Sequence, residues 1–198
     1  RGAVRSTQYH FLFKAVIAKV ELKCSIFPFC EPRLLQIIDD FGGVMTKHSK
    51  FKFALCGGAA GTIVDESLLD TPIDFASSQK GISLGAGSFL ICDQSVSPVA
   101  FLRELLYFFA AESCGKCTPC RVGTWRSLEI LNLLTSGQGK PGNMDELKTL
   151  AALMQDSSFC GLGQSVAIPV KSALTHFEAE WNQVENRKSK VKGRKSGN

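Results

Sequence analysis

Ser97-Pro-Val-Ala-Phe-Leu-Arg-Glu-Leu-Leu-Tyr-Phe-Phe-Ala-Ala-Glu-Ser-Cys-Gly-Lys-Cys-Thr-Pro-Cys-Arg121 is where the chain changes character. A serine hydroxyl can accept from an orphan amide at a helix start, and proline suits the first helical position, where no N–H is needed. Val99, Leu102, Leu106 and Phe109 then recur at helical spacing. The stretch ends in three cysteines at a strict interval of three, Cys114, Cys117 and Cys120. A second helix is expected to start near them and to run through Trp125, Leu128, Leu131 and Leu134. Ser136 to Gly142 reads as a glycine-rich loop. Asn143 then caps a third helix, with Glu146 three residues on as in a capping box. Its core face is expected to be Leu147, Leu150, Ala151 and Met154. Beyond a loop at Cys160, a fourth helix carries Val170, Leu174, Phe177 and Trp181. Four amphipathic helices with short connections predict a helical bundle over residues 96–185.

Upstream the pattern is that of a small α+β unit over residues 31–95. Pro32 to Asp40 reads as a short helix with Leu34, Leu35, Ile37 and Ile38 apolar and Gly42–Gly43 as its stop. Phe51 to Cys56 is a strand closed by a Gly57–Gly58 turn. Pro72 to Phe75 is a short extended segment. Ser88 to Cys92 is a further strand, with Gly81, Gly85 and Gly87 crowded before it. Residues 1–30 stay unassigned, with a strand or two expected around Phe11, Phe13, Val16, Ile17 and Val20. The glycine-rich strings Gly57-Gly-Ala-Ala-Gly61 and Gly81-Ile-Ser-Leu-Gly-Ala-Gly87 match neither G-x-G-x-x-G nor a phosphate-binding loop, so both read as turns.

Composition narrows the class. The 198 residues are 44% hydrophobic and 21% charged, as expected of a chain that buries a core. The net charge is +5, but residues 187–198 alone hold six Lys and Arg and no acid. Residues 186–198 are therefore read as a solvated, disordered basic tail, not a nucleic-acid site. The apolar runs near Phe11 to Val20 and Val99 to Ala111 are broken by charge, so no membrane-spanning helix and no membrane insertion are expected. No signal peptide is visible, and opening without Met suggests a fragment or a processed chain.

Eight cysteines without a secretory signal point away from disulfides and toward a metal in a reducing compartment. Glu112-Ser-Cys-Gly-Lys-Cys-Thr-Pro-Cys-Arg121 holds C-x2-C-x2-C, and three such thiolates can curl around one corner of a cubane. The fourth iron needs a ligand from elsewhere. Cys160, in the glycine-flanked loop Ser-Ser-Phe-Cys-Gly-Leu-Gly, is the best candidate. Glycines let backbone N–H groups approach the cluster sulfides. Lys116 and Arg121 would offset the anionic cluster and favour reduction. Zinc held by four cysteines is the first competitor, although structural zinc usually takes two separated C-x2-C knuckles. A redox-active C-x-x-C dithiol is the second, disfavoured by the third cysteine. A second cluster would need a second triplet. Cys24, Cys30, Cys56 and Cys92 are irregularly spaced in apolar surroundings and read as small packing residues. His10, His48 and His176 are isolated, and no catalytic triad or acid pair stands out.

The strings Glu112-Ser-Cys-Gly-Lys-Cys-Thr-Pro-Cys-Arg-Val-Gly-Thr124 and Ser158-Phe-Cys-Gly-Leu-Gly-Gln-Ser165 resemble the flavoprotein subunit of NADH dehydrogenase (respiratory complex I). They are equally similar to the diaphorase subunits of NAD(P)-linked hydrogenases and formate dehydrogenases. The likeness runs from about Pro32 to Trp181, and Gly81 to Asp93 resembles the family's linker. It implies a β-grasp unit of the soluble-ligand-binding type, followed by a bundle holding one 4Fe–4S cluster through Cys114, Cys117, Cys120 and Cys160. It also implies other subunits of a multi-subunit redox complex as partners, a small iron–sulfur subunit among them. The implied location is cytoplasmic or on the mitochondrial matrix side, peripheral to a membrane complex. Val122 departs from the family, which commonly has Glu there. The family's glycine-rich FMN and NADH domain has no counterpart in this chain, so FMN and NAD are not expected to bind it and no catalytic residue is assigned. The expected function is electron transfer within an NADH-oxidising subunit. The alternative is a non-enzymatic assembly module, a degenerate paralogue whose cluster only braces the bundle.

Overall fold

The computed structural model describes residues 16–19, 33–41, 50–85 and 87–186. The expectations for the rest of residues 1–32, and for the basic tail beyond residue 186, lie outside the described residues. Two compact units divide the chain at Val96/Ser97, with the short segment Ala59–Ile63 grouped with the second.

β1 (Val16–Lys19) and β2 (Phe51–Cys56) of the first unit flank β4 (Ser88–Asp93), and β3 (Thr62–Val64), of which only Val64 falls in that unit, completes the sheet order β1-β4-β2-β3. Both partners of β4 run antiparallel to it, with Ala54 opposite Ile91 and Val16 opposite the same Ile91 from the other side. β2 and β4 run close to the segments their patterns predict. β3 was not anticipated, since three residues are too short to show a period. Helix α1 (Leu34–Phe41) turns Leu34, Ile37 and Ile38 inward at helical spacing, onto Ala54, Cys56, Phe89 and Ile91. Of the extended segment expected at Pro72 to Phe75, one isolated bridge from Pro72 to Arg33 forms; Phe75–Lys80 is a 3-10 helix. The two glycine strings meet each other. Gly57 has φ +95°, and a Cβ on Gly85 (φ +44°) would lie 2.1 Å from the Gly57 carbonyl oxygen. Two backbones this close leave no room for a side chain on either, so these are turns shaped by mutual approach.

The second unit is helical. α2 (Pro98–Glu112) starts as its sequence predicts: the Ser97 hydroxyl accepts from the Ala100 amide at 3.5 Å, and Pro98 opens the helix. Val99, Leu102, Leu106 and Phe109 are all buried. α3 (Thr118–Thr135) differs from its expected face, because Trp125 is 52% exposed. The inward face holds Gly123, Thr124 and Ser127 beside Leu128, Leu131 and Leu134. Small residues there let α4 (Asn143–Ser157) come close; a Cβ on Gly123 would meet the Met154 Cγ at 2.7 Å. The capping box at α4 does not form. Gly142 is the cap, the Asn143 side chain accepts from the Lys140 amide at 2.8 Å, and Glu146 instead takes the Arg126 guanidinium of α3 at 2.7 Å.

The single fourth helix expected from the pattern is three short ones: α5 (Gly161–Ser165), α6 (Ala167–His176) and α7 (Glu178–Glu185). Pro169 explains the first break, since it has no N–H to return to the preceding turn. Phe177 leaves helical geometry at the second (φ −123°, ψ 32°). That turn aims the fully buried Trp181 back, so its indole N–H donates to the Ala173 carbonyl at 2.9 Å. α2 packs on α3, α3 on α4, and α4 on α6. Among the described residues, no helix is long and apolar enough to cross a membrane.

Candidate metal centre

The α2–α3 loop is built to turn sharply. Gly115 takes a left-handed φ of +74°, which reverses the chain between Cys114 and Cys117. The Arg121 guanidinium donates to the Gly115 carbonyl at 2.9 Å and holds the loop over the first turn of α3. Cys117 is the residue that caps α3, with Thr118 and Pro119 as its first helical positions, and Cys120 lies in that first turn. Cys160 caps α5 in the same way on the second loop. Cys117 and Cys120 are buried, whereas Cys114 and Cys160 are exposed.

The two loops meet. The nearby backbone amides of Phe159, the neighbour of Cys160, and of Cys120 hold the Cys117 thiol below the usual cysteine range. Cys120 moves the other way. Burial pushes its thiol up, the Ser113 hydroxyl at 3.4 Å partly counters this, and the charges of Cys117, Cys160 and Cys114 push it up further. All three other thiols of the predicted set are thus near enough to act on Cys120. Gly163 makes the approach possible: a Cβ there would lie 2.9 Å from the Cys120 Cβ and 2.4 Å from the Ser158 hydroxyl. Gly161 has open space around its Cα, so the need for glycine in this loop is at Gly163.

Among the described residues, no group of three or more Cys, His, Asp or Glu side chains is drawn together as a cage for one metal ion. Sulfurs around a single ion must lie about 3.8 Å apart, given metal–sulfur bonds of about 2.3 Å. A cubane's ligands each bind a different corner and stand wider. A C-x2-C-x2-C triplet with a fourth cysteine on a loop packed against it fits the corners of a cubane. Of the other cysteines, Cys56 and Cys92 are buried in the first unit, and burial pushes both thiols up to about 12. Cys24, Cys30, His10 and His48 lie outside the described residues. Ser113, Ser158 and the Phe159 amide had no role in the sequence reading. Their only signal was position, within two residues of a cysteine.

Comparison with known proteins agrees with this chemistry. Residues 100–184 match the NADH-ubiquinone oxidoreductase-F iron-sulfur binding region. The helical unit is thus similar to that iron–sulfur binding region, which supports a 4Fe–4S cluster as its cofactor. The NADP-reducing hydrogenase subunit HndC of Solidesulfovibrio fructosivorans is 36% identical over 149 residues, 75% of this chain and 30% of that protein. An NADH-quinone oxidoreductase subunit of Escherichia coli (strain K12) is 36% identical over 148 residues, 74% of this chain and 33% of that protein. The crystal structure of an NAD+-reducing [NiFe]-hydrogenase superposes with a TM-score of 0.68 at 25% identity, over 79% of this chain and 26% of the hydrogenase chain. The chain therefore spans about a third of the length of the curated relatives it matches.

Proposed function

We propose that Cys114, Cys117, Cys120 and Cys160 bind one 4Fe–4S cluster, and that the chain uses it to pass single electrons as part of an NADH-oxidising flavoprotein subunit. The observation that carries the ligand set is the close approach of the Cys160 loop to the triplet: a Cβ on Gly163 would lie 2.9 Å from the Cys120 Cβ. When bound, the cluster supplies a one-electron carrier, which lets a two-electron donor be discharged in single steps. The protein's own part is threefold. Four thiolates hold the group. Amides of Phe159 and Cys120 and the Ser113 hydroxyl stabilise negative charge on sulfur. Buried Cys117 and Cys120 lie on the dry side, and exposed Cys114 and Cys160 face the side from which a redox partner would approach.

The β-grasp assignment of the sheet unit, and the bundle with four helical positions, the last of them broken, belong to the same reading. So do the partners: further subunits of a redox complex, a small iron–sulfur subunit among them. The two named relatives, each described as a subunit, support this. Iron and acid-labile sulfide analysis of anaerobically purified protein tests the proposal, with electron paramagnetic resonance after dithionite reduction. One cubane's worth of both elements per chain is expected. Zinc in place of iron, or a full cluster in a Cys160→Ser variant, would refute the ligand set.

A further inference from the structure

Ser158 is 6% exposed, and its hydroxyl has no hydrogen-bond partner. Its backbone is fully engaged: the N–H donates to the Met154 carbonyl at 3.1 Å, and the carbonyl accepts from the Gln164 side chain at 2.9 Å. A buried hydroxyl left unpaired is costly, so a group in this state calls for a partner. Its place supplies one. The Ser158 hydroxyl and the Cys120 Cβ lie 2.4 Å and 2.9 Å from the same point, the missing Cβ of Gly163. The hydroxyl therefore lies beside Cys120, on the loop that carries Cys160. Among the described residues the other orphan hydroxyl, that of Ser127, sits two turns further along α3.

One neighbouring hydroxyl is already engaged: that of Ser113 lies 3.4 Å from the Cys120 sulfur. We propose that the Ser158 hydroxyl donates to a sulfur of the bound cluster beside Cys120 and so raises the cluster's reduction potential. The inference rests on the four-cysteine reading above. A hydrogen bond to sulfur favours the more negative, reduced state, and such bonds are among the determinants of cluster potential. The competing partner is a trapped water, which would leave the potential independent of this side chain.

The test is a redox titration of the cluster-loaded full chain, followed by electron paramagnetic resonance. Ser158→Ala should keep its iron and shift the midpoint to more negative values. At a fixed potential the reduced-to-oxidised ratio should fall by up to about tenfold, which is ~59 mV for one electron. Ser158→Thr keeps the hydroxyl and should restore the wild-type potential. A Ser158→Ala protein with wild-type iron content and potential overturns the proposal. Should Ser158→Ala fail to hold the cluster, Ser158→Thr decides: retention with a wild-type potential supports the hydroxyl's role, and loss in both variants overturns it. A wild-type chain that takes up no iron is a different failure, since it sinks the ligand set itself.

Discussion

Cys117 and Cys120 stand within one helical turn, yet their thiols are displaced in opposite directions. Backbone amides reach the first, whereas burial and three neighbouring sulfurs act on the second. The pair therefore favours a state in which shared positive charge compensates all four thiolates, which is what bound iron provides. Cys160→Ser should weaken metal retention by at least the ~10–100-fold that follows loss of a supporting group, read as iron per chain. Cys56→Ser and Cys92→Ser should leave iron content unchanged; loss of cluster there, with retention in Cys160→Ser, would reverse the assignment. Cys56 and Cys92 also predict a pH dependence. Their folded thiols are raised from 9.0 to about 12, so between those values the native state holds protons that the unfolded state has released. Stability from these two is fully present below pH 9 and is lost as pH rises toward about 12. Denaturant titrations of Cys56→Ala and Cys92→Ala at stepped alkaline pH check this: the variants should show a shallower alkaline decline.

At the scale of elements, glycines decide how closely segments meet. Gly163 receives Cys120 and Ser158 where a methyl group has no space. Gly163→Ala should therefore push α5 away from α3 and lower iron content, with the helices still formed by circular dichroism. Gly85→Ala acts in the other unit. It combines a left-handed φ with a collision against the Gly57 backbone, and should destabilise that unit by about 1–3 kcal/mol without touching the cluster. Equal iron loss in the two variants would show that the glycines do not act locally. Local signals served well where one residue and its near neighbours set the outcome, as at Ser97–Pro98 and along α2. They served poorly at α4, where Glu146 was drawn from its expected cap to Arg126 on another helix. They also ran past Phe177, because apolar spacing at Val170, Leu174, Phe177 and Trp181 persists across a helix break that keeps all four inward.

For the whole molecule, a cluster held by the proposed four cysteines would tie α2–α3 to α4–α5, so metal binding is expected to stabilise the helical unit by mass action. Chelating the iron should lower the melting temperature of that unit and leave the sheet unit's transition in place. A single transition insensitive to chelation would show that the cluster contributes nothing to folding. The chain alone should retain no FMN and oxidise no NADH, since among the described residues the two glycine strings turn against each other at Gly57 and Gly85 and do not form a phosphate cradle. Flavin fluorescence and dye reduction test this, and stoichiometric flavin or NADH turnover by this chain would overturn it.

The sequence by itself determined the chemistry and most helix positions. Cysteine spacing, caps and apolar periods are local properties, written within a few residues of where they act. Only the tertiary structure decided which surfaces meet. The outward turn of Trp125, the close approach of Gly163 to Cys120, the contact of Gly57 with Gly85 and the orphaned hydroxyl of Ser158 all depend on segments distant in the chain. Close packing selects those pairings through volume and unpaired hydrogen bonds, and neither leaves a periodic mark on the sequence.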